Sequence, residues 1–284
     1  MRSMHLKPIA AAAALLAALA VPSARADSFF WAVNQFTTIQ KLNGDTGAVA
    51  DAFAVPFGSG SAASIAVVGN TGYYTLLGNA NVYKVDMTTH LAGGIAFNTG
   101  DSSWMNGITT DSGGNLWFAH GGSSSLQEFN TTGTLLSTHA FPDPASSFRD
   151  GSVIYNGFLV ANRGDQTGPY DRYLIPGGNG ALTYLDKPFI TALGGNNGIA
   201  YNGVNFYISN EQTHIVTKYD SNGAFVSQAN LPAGSRYENW TFASQDIVVV
   251  PGVPEPGSYA LMLAGLGVMG FIARRRSQKA GSAA

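Results

Sequence analysis

Short runs in which apolar and polar residues alternate, separated by turns rich in Gly, Asn and Asp, fill most of this 284-residue chain. One segment shows the plan in full, with runs at Gly107–Thr110, Leu116–His120, Ser125–Asn130 and Thr134–Phe141. Alternation with a period of two is typical of β-strands that bury one face, and Gly, Asn and Asp accept the left-handed backbone of tight turns. The pattern therefore predicts four antiparallel strands in this segment.

The same plan recurs along the chain. Corresponding apolar positions lie 43, 45 and 46 residues apart, at Ile65, Ile108, Val153 and Ile199. Four strands in a unit of about 40–45 residues are typical of a β-propeller blade. The repeat therefore predicts an all-β propeller domain over residues 27–250.

The two ends of this domain complement each other. The N-terminal part contains only three strand-like runs, Phe29–Val33, Thr37–Leu42 and Ala48–Val55, whereas Asn239–Ala243 is a spare first strand. Because an exposed sheet edge is a liability, we expect the C-terminal strand to complete the N-terminal blade and close the ring. This arrangement predicts five blades. A sixth, irregular blade built on Asp246–Val250 is the alternative.

Two turns carry a family resemblance. Asp111-Ser-Gly-Gly-Asn-Leu-Trp117 and Asp220-Ser-Asn-Gly223 resemble the turns of NHL-like propeller blades. The resemblance implies the propeller fold. It implies no particular activity, because propellers include enzymes, binding platforms and scaffolds. We expect Asp and Asn to cap these turns and Gly to occupy the left-handed position.

The N-terminal segment has the three parts of a secretory signal peptide. Arg2 and Lys7 form a basic start, Ile9–Val21 is an apolar run, and Ala24 and Ala26 are the small residues that signal peptidase requires. We expect cleavage before Asp27. An uncleaved N-terminal anchor is the alternative.

The C-terminal segment combines a motif, an apolar helix and a basic cluster. Pro254, Glu255 and Pro256 lie in a linker at 251–257, and a predicted transmembrane segment at 258–276 ends in Arg274, Arg275 and Arg276. The arginines predict a cytoplasmic tail at 277–284. The segment resembles the PEP-CTERM sorting signal, which implies processing by an exosortase and transfer to the cell envelope or extracellular matrix. An ordinary membrane anchor is the alternative.

Charge is distributed unevenly along the chain. Residues 27–256 contain 8 basic and 17 acidic residues, a net charge of −9, and the chain has no Cys. An acidic body disfavours binding to nucleic acid or to anionic lipid by long-range attraction. The absence of Cys excludes disulfides and thiolate metal sites.

Polar residues flank the predicted strands at one end of each blade. First strands start, and second strands end, at the same face of a propeller, so these residues are expected to surround one mouth of the central channel. The candidate ligand-binding residues are Asn34, Asn106, His120, Asp150, Asn162, Arg163, Asn197, Asn210, Glu211 and Asn239. Two hypotheses remain: these side chains satisfy loose backbone groups at strand ends, or they bind a small polar ligand such as a sugar.

One loop at this face is longer than the others. Residues 162–173 include Arg163, Arg172 and two tyrosines. Insertions on one face of a repeat array often carry recognition. We therefore expect this loop to contribute to a binding surface.

Sequence motifs for catalysis are weak. His90 and His139 fall near outer strands, which leaves His120 and His214 near the predicted mouth, without a paired carboxylate or a metal-ligand spacing. We expect no cofactor, although Asp150, Glu211 and Glu238 are candidate oxygen ligands for calcium. The favoured function is a non-catalytic binding or scaffold module for polysaccharide or a surface protein. The alternative is an extracellular lyase or lactonase.

Overall fold

The architecture was determined from a computed structural model. The structure describes residues 28–58, 60–101, 105–120, 124–143, 151–162, 169–192, 194–233, 235, 240–241 and 243–244. The signal peptide, the C-terminal sorting segment and the spare run Asp246–Val250 lie outside these residues. Among the residues described, no helix is long and apolar enough to cross a membrane.

The described residues form a β-propeller of five blades, as the repeat predicted. Blade 1 contains β1 Phe29–Asn34, β2 Thr38–Asn43 and β3 Val49–Ala54. Blade 2 contains β4 Ala62–Val68, β5 Thr71–Leu76, β6 Asn81–Asp86 and β7 Ala92–Asn98. Blade 3 contains β8 Met105–Thr110, β9 Leu116–His120, β10 Ser125–Phe129 and β11 Leu135–Ala140. Blade 4 contains β12 Ser152–Tyr155, β13 Phe158–Asn162, β14 Tyr170–Leu174 and β15 Thr183–Ile190. Blade 5 contains β16 Asn196–Tyr201, β17 Asn205–Asn210, β18 Ile215–Asp220 and β19 Phe225–Asn230, and is followed by β20 Trp240–Thr241 and β21 Ala243–Ser244.

The C-terminal strand closes the ring. Trp240 of β20 pairs in parallel with Gly198 of β16, and Ala243 of β21 pairs antiparallel with Trp31 of β1. Blade 1 therefore has the strand order β21-β1-β2-β3, with its innermost strand supplied by the C-terminal part of the domain. The predicted closure and the count of five blades are confirmed. The closing strand itself lies slightly later in the chain than Asn239–Ala243.

Five apolar clusters occupy the five seams between neighbouring blades. Ile65 packs with Trp31 across the seam between blades 1 and 2, and Phe206 packs with Tyr155 across the seam between blades 4 and 5. Phe206 is fully buried, and burial of one such side chain stabilises the fold by about 1.5–3 kcal/mol. Each blade therefore buries both of its faces against its neighbours.

The turns between third and fourth strands follow one chemical plan in four blades. Asn43, Asp86, Asn130 and Asp220 each accept backbone N–H hydrogen bonds through Oδ1 from residues two to four positions ahead. The glycine that ends the turn is left-handed where it occurs, with φ of 88° at Gly133. The predicted role of Asx and Gly in these turns is confirmed.

These same turns join neighbouring blades. In every blade, the turn between the third and fourth strands lies against the outer strand of the preceding blade, and we call this contact the turn–strand junction. The five junctions pair Gly47 with Asn230, His90 with Phe53, Gly133 with Phe97, Gly180 with His139, and Gly223 with Phe189. A Cβ atom at Gly47, Gly133 or Gly223 would collide with its partner, so the close approach requires glycine there.

Blade 4 departs from the repeat by one residue. Ile65, Ile108 and Ile199 pack toward the preceding blade, whereas Val153 packs toward the following blade and Ile154 toward the preceding one. A shift of one residue moves every side chain of a strand to its other face. The sequence spacing that made Val153 equivalent to Ile65 was therefore wrong about which face it occupies.

Candidate functional site: the channel mouth

Second strands end, and first strands begin, at one face of the ring, which we call the mouth face. His120 at the end of β9 pairs with Met105 at the start of β8, and Asn210 at the end of β17 pairs with Asn196 at the start of β16. The first strands of blades 2 and 3 are joined directly, because the N–H of Ile108 donates a hydrogen bond to Ser64 Oγ of the preceding blade, 3.1 Å away. The topology thus brings the ends of these strands to one mouth.

Four predicted site residues end second strands in the structure, as expected. They are Asn34 in β1, His120 in β9, Asn162 in β13 and Asn210 in β17. For Asn106, His120 and Asn197 the structure describes the strand backbone and not the side chain. Asp150, Arg163 and Asn239 lie outside the described residues.

Asn210 holds the loop that follows it. Its Oδ1 accepts hydrogen bonds from the N–H of Gln212 at 3.0 Å and of Thr213 at 2.9 Å, and its Nδ2 donates to the carbonyl of Gly194 at 2.8 Å. The N–H of Glu211 donates to Gly195 at 2.9 Å. These bonds join the start of β16 to the end of β17, so Asn210 organises the backbone of the mouth.

Asn162 and Asn34 are also bound to the mouth backbone. Asn162 is fully buried, its N–H donates to the carbonyl of Gly151 at 3.0 Å, and its Oδ1 accepts from the N–H of Gly151 at 3.4 Å. The carbonyl of Asn34 accepts from the N–H of Thr37 at 3.0 Å. For Asn162 and Asn210 the structural hypothesis, in which Asx side chains satisfy strand ends, is supported by direct side-chain contacts, whereas the contact of Asn34 is made by its backbone carbonyl.

Three oxygen atoms near the mouth have no hydrogen-bond partner among the described residues. They are Asn34 Oδ1, Ser152 Oγ and Ser209 Oγ, and the two serines are fully buried. Ser152 begins β12 and Ser209 precedes Asn210, so both lie at the mouth end of their strands. Neither serine is among the residues predicted from the sequence, although a small polar residue inside an apolar strand is a visible signal. A buried hydroxyl without a hydrogen-bond partner lowers the free energy of unfolding by about 1–3 kcal/mol. The two serines are therefore unfavourable for stability as the structure stands.

The long loop of blade 4 is shorter than predicted. Tyr170, Arg172 and Tyr173 belong to β14, where both tyrosine side chains are fully buried in the seams with neighbouring blades. Arg172 donates from Nε to Asp186 Oδ2 at 2.6 Å and from Nη1 to Tyr155 at 3.1 Å. The prediction that residues 170–173 form a recognition loop is therefore wrong, because the apolar faces of the tyrosines draw this segment into the sheet.

Histidines that the structure describes lie mostly away from the mouth. His139 is in the outer strand β11 and His90 lies just before β7, where its Nε2 is 3.2 Å from Asp51 Oδ2. Both positions agree with the sequence prediction. His214 belongs to the loop after Asn210 at the mouth face, and its Nδ1 is buried with no partner among the described residues.

Metal ligands do not group in the part of the chain that the structure describes: no three His, Cys, Asp or Glu side chains lie together there. Glu211 is described, but Asp150 and Glu238 are not. Calcium binding by these three residues therefore stays a prediction.

The fold and its mouth define the class of protein: a five-bladed β-propeller whose ring is closed by its C-terminal strand. Residues 252–276 match the PEP-CTERM protein-sorting motif. The chain is thus an exported propeller that carries a sorting signal for exosortase processing at the membrane. Among curated proteins, none matches this sequence.

Two solved structures are similar to this chain at low sequence identity. A chain from the crystal structure of a nidogen/laminin complex is 13% identical, with a TM-score of 0.54, and covers 76% of this chain and 98% of that chain. Virginiamycin B lyase from Staphylococcus aureus, in its selenomethionine form, is 13% identical with a TM-score of 0.46, covering 75% of this chain and 76% of that chain. The first similarity supports the propeller fold, and at this identity it supports the fold alone.

Proposed function

We propose that the propeller is a non-catalytic binding module of the cell envelope or extracellular matrix, and that it binds polysaccharide at the mouth face. The observation that carries this proposal is the sorting motif, which begins at residue 252, close behind the closing strand β21. Sorting therefore delivers the ring with all five blades intact. A ring sorted to the envelope or matrix meets polysaccharide as an abundant neighbour.

The chemistry of the mouth favours a neutral, hydroxyl-rich ligand. Its described strand-end side chains are amides and hydroxyls, and the exposed amide of Gln212 lies beside Gly195 in the loop after β17, where it can exchange hydrogen bonds with sugar hydroxyls. The acidic body disfavours polyanions. His90 and His139 lie at turn–strand junctions away from the mouth, which leaves His120 and His214 as the histidines that the enzymatic alternative would use.

Two substitutions at neighbouring positions separate binding from folding. The fragment 27–252 would be tested on an array of bacterial polysaccharides, with its melting temperature measured in parallel. Gln212→Ala removes an exposed amide of the mouth and keeps the backbone N–H that bonds to Asn210, so we expect nearly unchanged stability and an affinity lower by about 2–10-fold. Asn210→Ala removes three hydrogen bonds of the mouth backbone, so we expect a loss of about 1–2 kcal/mol in stability.

The outcome at Gln212 decides the proposal. Wild-type protein that binds no polysaccharide, or Gln212→Ala protein that binds as well as wild type, would contradict a ligand at this mouth. A lyase would instead shorten a polysaccharide or release unsaturated ends on prolonged incubation. That result would replace the binding proposal with the enzymatic alternative.

A further inference from the structure

The C-terminal end of the ring leaves from the face opposite to the mouth. β1 runs toward the mouth and ends there at Asn34, and β21 runs antiparallel to it, with Ala243 opposite Trp31 and Ser244 opposite Phe30. The chain therefore travels away from the mouth as it passes from Ala243 to Ser244. We call the side that it approaches the exit face.

The N-terminal end of the ring lies on the same side. Asn202, in the turn between β16 and β17, donates from Nδ2 to Ser28 Oγ at 2.6 Å, and the hydroxyl of Tyr207 donates to the same oxygen at 3.0 Å. That turn joins the end of a first strand to the start of a second strand, which is the end away from the mouth. Ser28 precedes β1 directly, so both ends of the ring lie at the exit face.

The connection between the ring and its sorting motif is short. Nine residues separate Ser244 from Pro254, and a fully extended chain of that length reaches about 30 Å. The strand β17 crosses the ring from the exit face to the mouth face over six residues, a distance of about 17–20 Å. Even the fully extended length of the connection therefore exceeds the depth of the ring by only about 10 Å.

We infer that the mouth face is the surface that the attached protein presents to external partners, and that the exit face is turned toward the point of attachment. Attachment through the residues after Ser244 leaves the mouth open to a large polymer. The reverse orientation requires the connection to pass around the whole ring. The choice of a hydroxyl-rich polymer as partner rests on the proposed function, whereas the orientation rests on the strand register and the sorting motif.

Two exposed positions at opposite ends of one strand provide the test. Val204 lies in the turn before β17 on the exit face, and Thr213 lies in the loop after β17 on the mouth face. Both side chains are exposed and β-branched, and both residues donate only their backbone N–H to a neighbouring asparagine. The chain has no Cys, so Val204→Cys and Thr213→Cys each introduce the single thiol of the protein.

The experiment uses the full-length variants in cells that contain the exosortase, treated with a small maleimide or a bulky polyethylene-glycol maleimide. Gel shifts of the protein report the rate at each site. At each site, the rate of modification by the bulky reagent is divided by the rate with the small reagent. We expect this normalised rate to be severalfold higher for Thr213→Cys than for Val204→Cys. In the free fragment 27–252 the two normalised rates should be equal, which controls for local differences in reactivity.

Equal normalised rates on cells, or a faster rate at Val204→Cys, would overturn the inferred orientation. The measurement requires no ligand. If the protein binds no polysaccharide but shows the expected difference in labelling rates, only the proposed function is contradicted. If it binds polysaccharide without that difference, only the inferred orientation is contradicted.

Discussion

At the scale of single residues, His139 illustrates a buried polar group that joins two blades. Its Nδ1 lies 3.2 Å from the carbonyl of Gly180 in blade 4, and because a carbonyl only accepts, this nitrogen carries a proton. Its Nε2 lies 3.0 Å from Ser137 Oγ, whose single hydroxyl hydrogen can be donated either to this nitrogen or to Glu128 Oε2, 2.8 Å away. The ring stacks on Trp117. The imidazole is thus enclosed on all sides by its own blade and the next one.

The pKa of His139 carries a consequence for stability. Burial lowers the pKa of His139 below the ordinary value of 6.5, against the opposing effects of the Gly180 carbonyl and Glu128. The unfolded chain therefore takes up a proton before the folded chain does. Stability that depends on neutral His139 is fully present above about pH 6.5 and is lost as the pH falls through the lowered pKa of the folded state.

We therefore predict a pH-dependent loss of stability that His139→Asn reduces. The melting temperature of fragment 27–252 should fall between about pH 7.5 and pH 5. In His139→Asn protein, which retains an N–H donor but does not titrate there, the decrease over the same range should be smaller. Circular dichroism at several pH values measures both. Parallel pH profiles for the two proteins would contradict the assignment to His139.

At the scale of elements, the turn–strand junction explains why particular turns contain glycine. Gly133 has φ of 88°, and an added Cβ would collide with Phe97 in the outer strand of the preceding blade. Gly157 also has positive φ, 79°, but no atom lies within 4 Å of an added Cβ. The two glycines share a backbone conformation and differ in their contacts. Comparison of the two therefore isolates the contribution of the junction.

Gly133→Ala should destabilise the ring more than Gly157→Ala. The left-handed backbone alone costs an alanine about 1–2 kcal/mol at either site. At Gly133 the collision with Phe97 adds about 1–3 kcal/mol, because the core cannot accept the extra volume without moving. Urea denaturation measures both losses. Equal losses in the free energy of unfolding for the two variants would show that the junction can move to accept the added methyl group. The junction would then contribute little to the stability of the ring.

The sequence predicts strand bounds, which depend on neighbouring residues, but it does not predict contacts between residues that are far apart in the chain. The alternation of apolar residues gave Leu116–His120 with both bounds of β9, because one buried face fixes a strand's register. It could not give the contact between His139 and Gly180, which are 41 residues apart. It also misassigned Tyr170 and Tyr173, because a loop and a buried strand with polar neighbours have similar composition. At the mouth, it found the strand-end asparagines and missed Ser209.

At the scale of the whole molecule, closure determines where the ring is weakest. The seam between blades 1 and 5 joins the two ends of the chain, and its polar contacts include Lys218 Nζ to Asp45 Oδ1 at 2.5 Å and Tyr207 to Asp45 at 3.2 Å. Lys218 is nearly buried, so loss of its carboxylate partner would leave a poorly solvated charge. Apart from the C-terminal segment that carries β20 and β21, the covalent path from blade 1 to blade 5 runs through the other blades. The short strands β20 and β21 therefore complete the hydrogen bonding of this seam.

Truncation tests this account of closure. A chain that ends after Pro251 keeps β20 and β21, and we expect it to unfold in one cooperative transition. A chain that ends before Asn239 loses both strands, which leaves β1 without an inner partner and exposes Trp31 and Phe30 beside the channel. The shorter chain should melt at a lower temperature and bind a dye specific for exposed apolar surface. Its blade 1 should also be cut first by protease, because blades 2 to 4 keep all their strands and both neighbours. If the two chains melt alike, the seam is held by the apolar contacts of Phe30 and Tyr207 without the closing strand, and the C-terminal strand is dispensable to the ring.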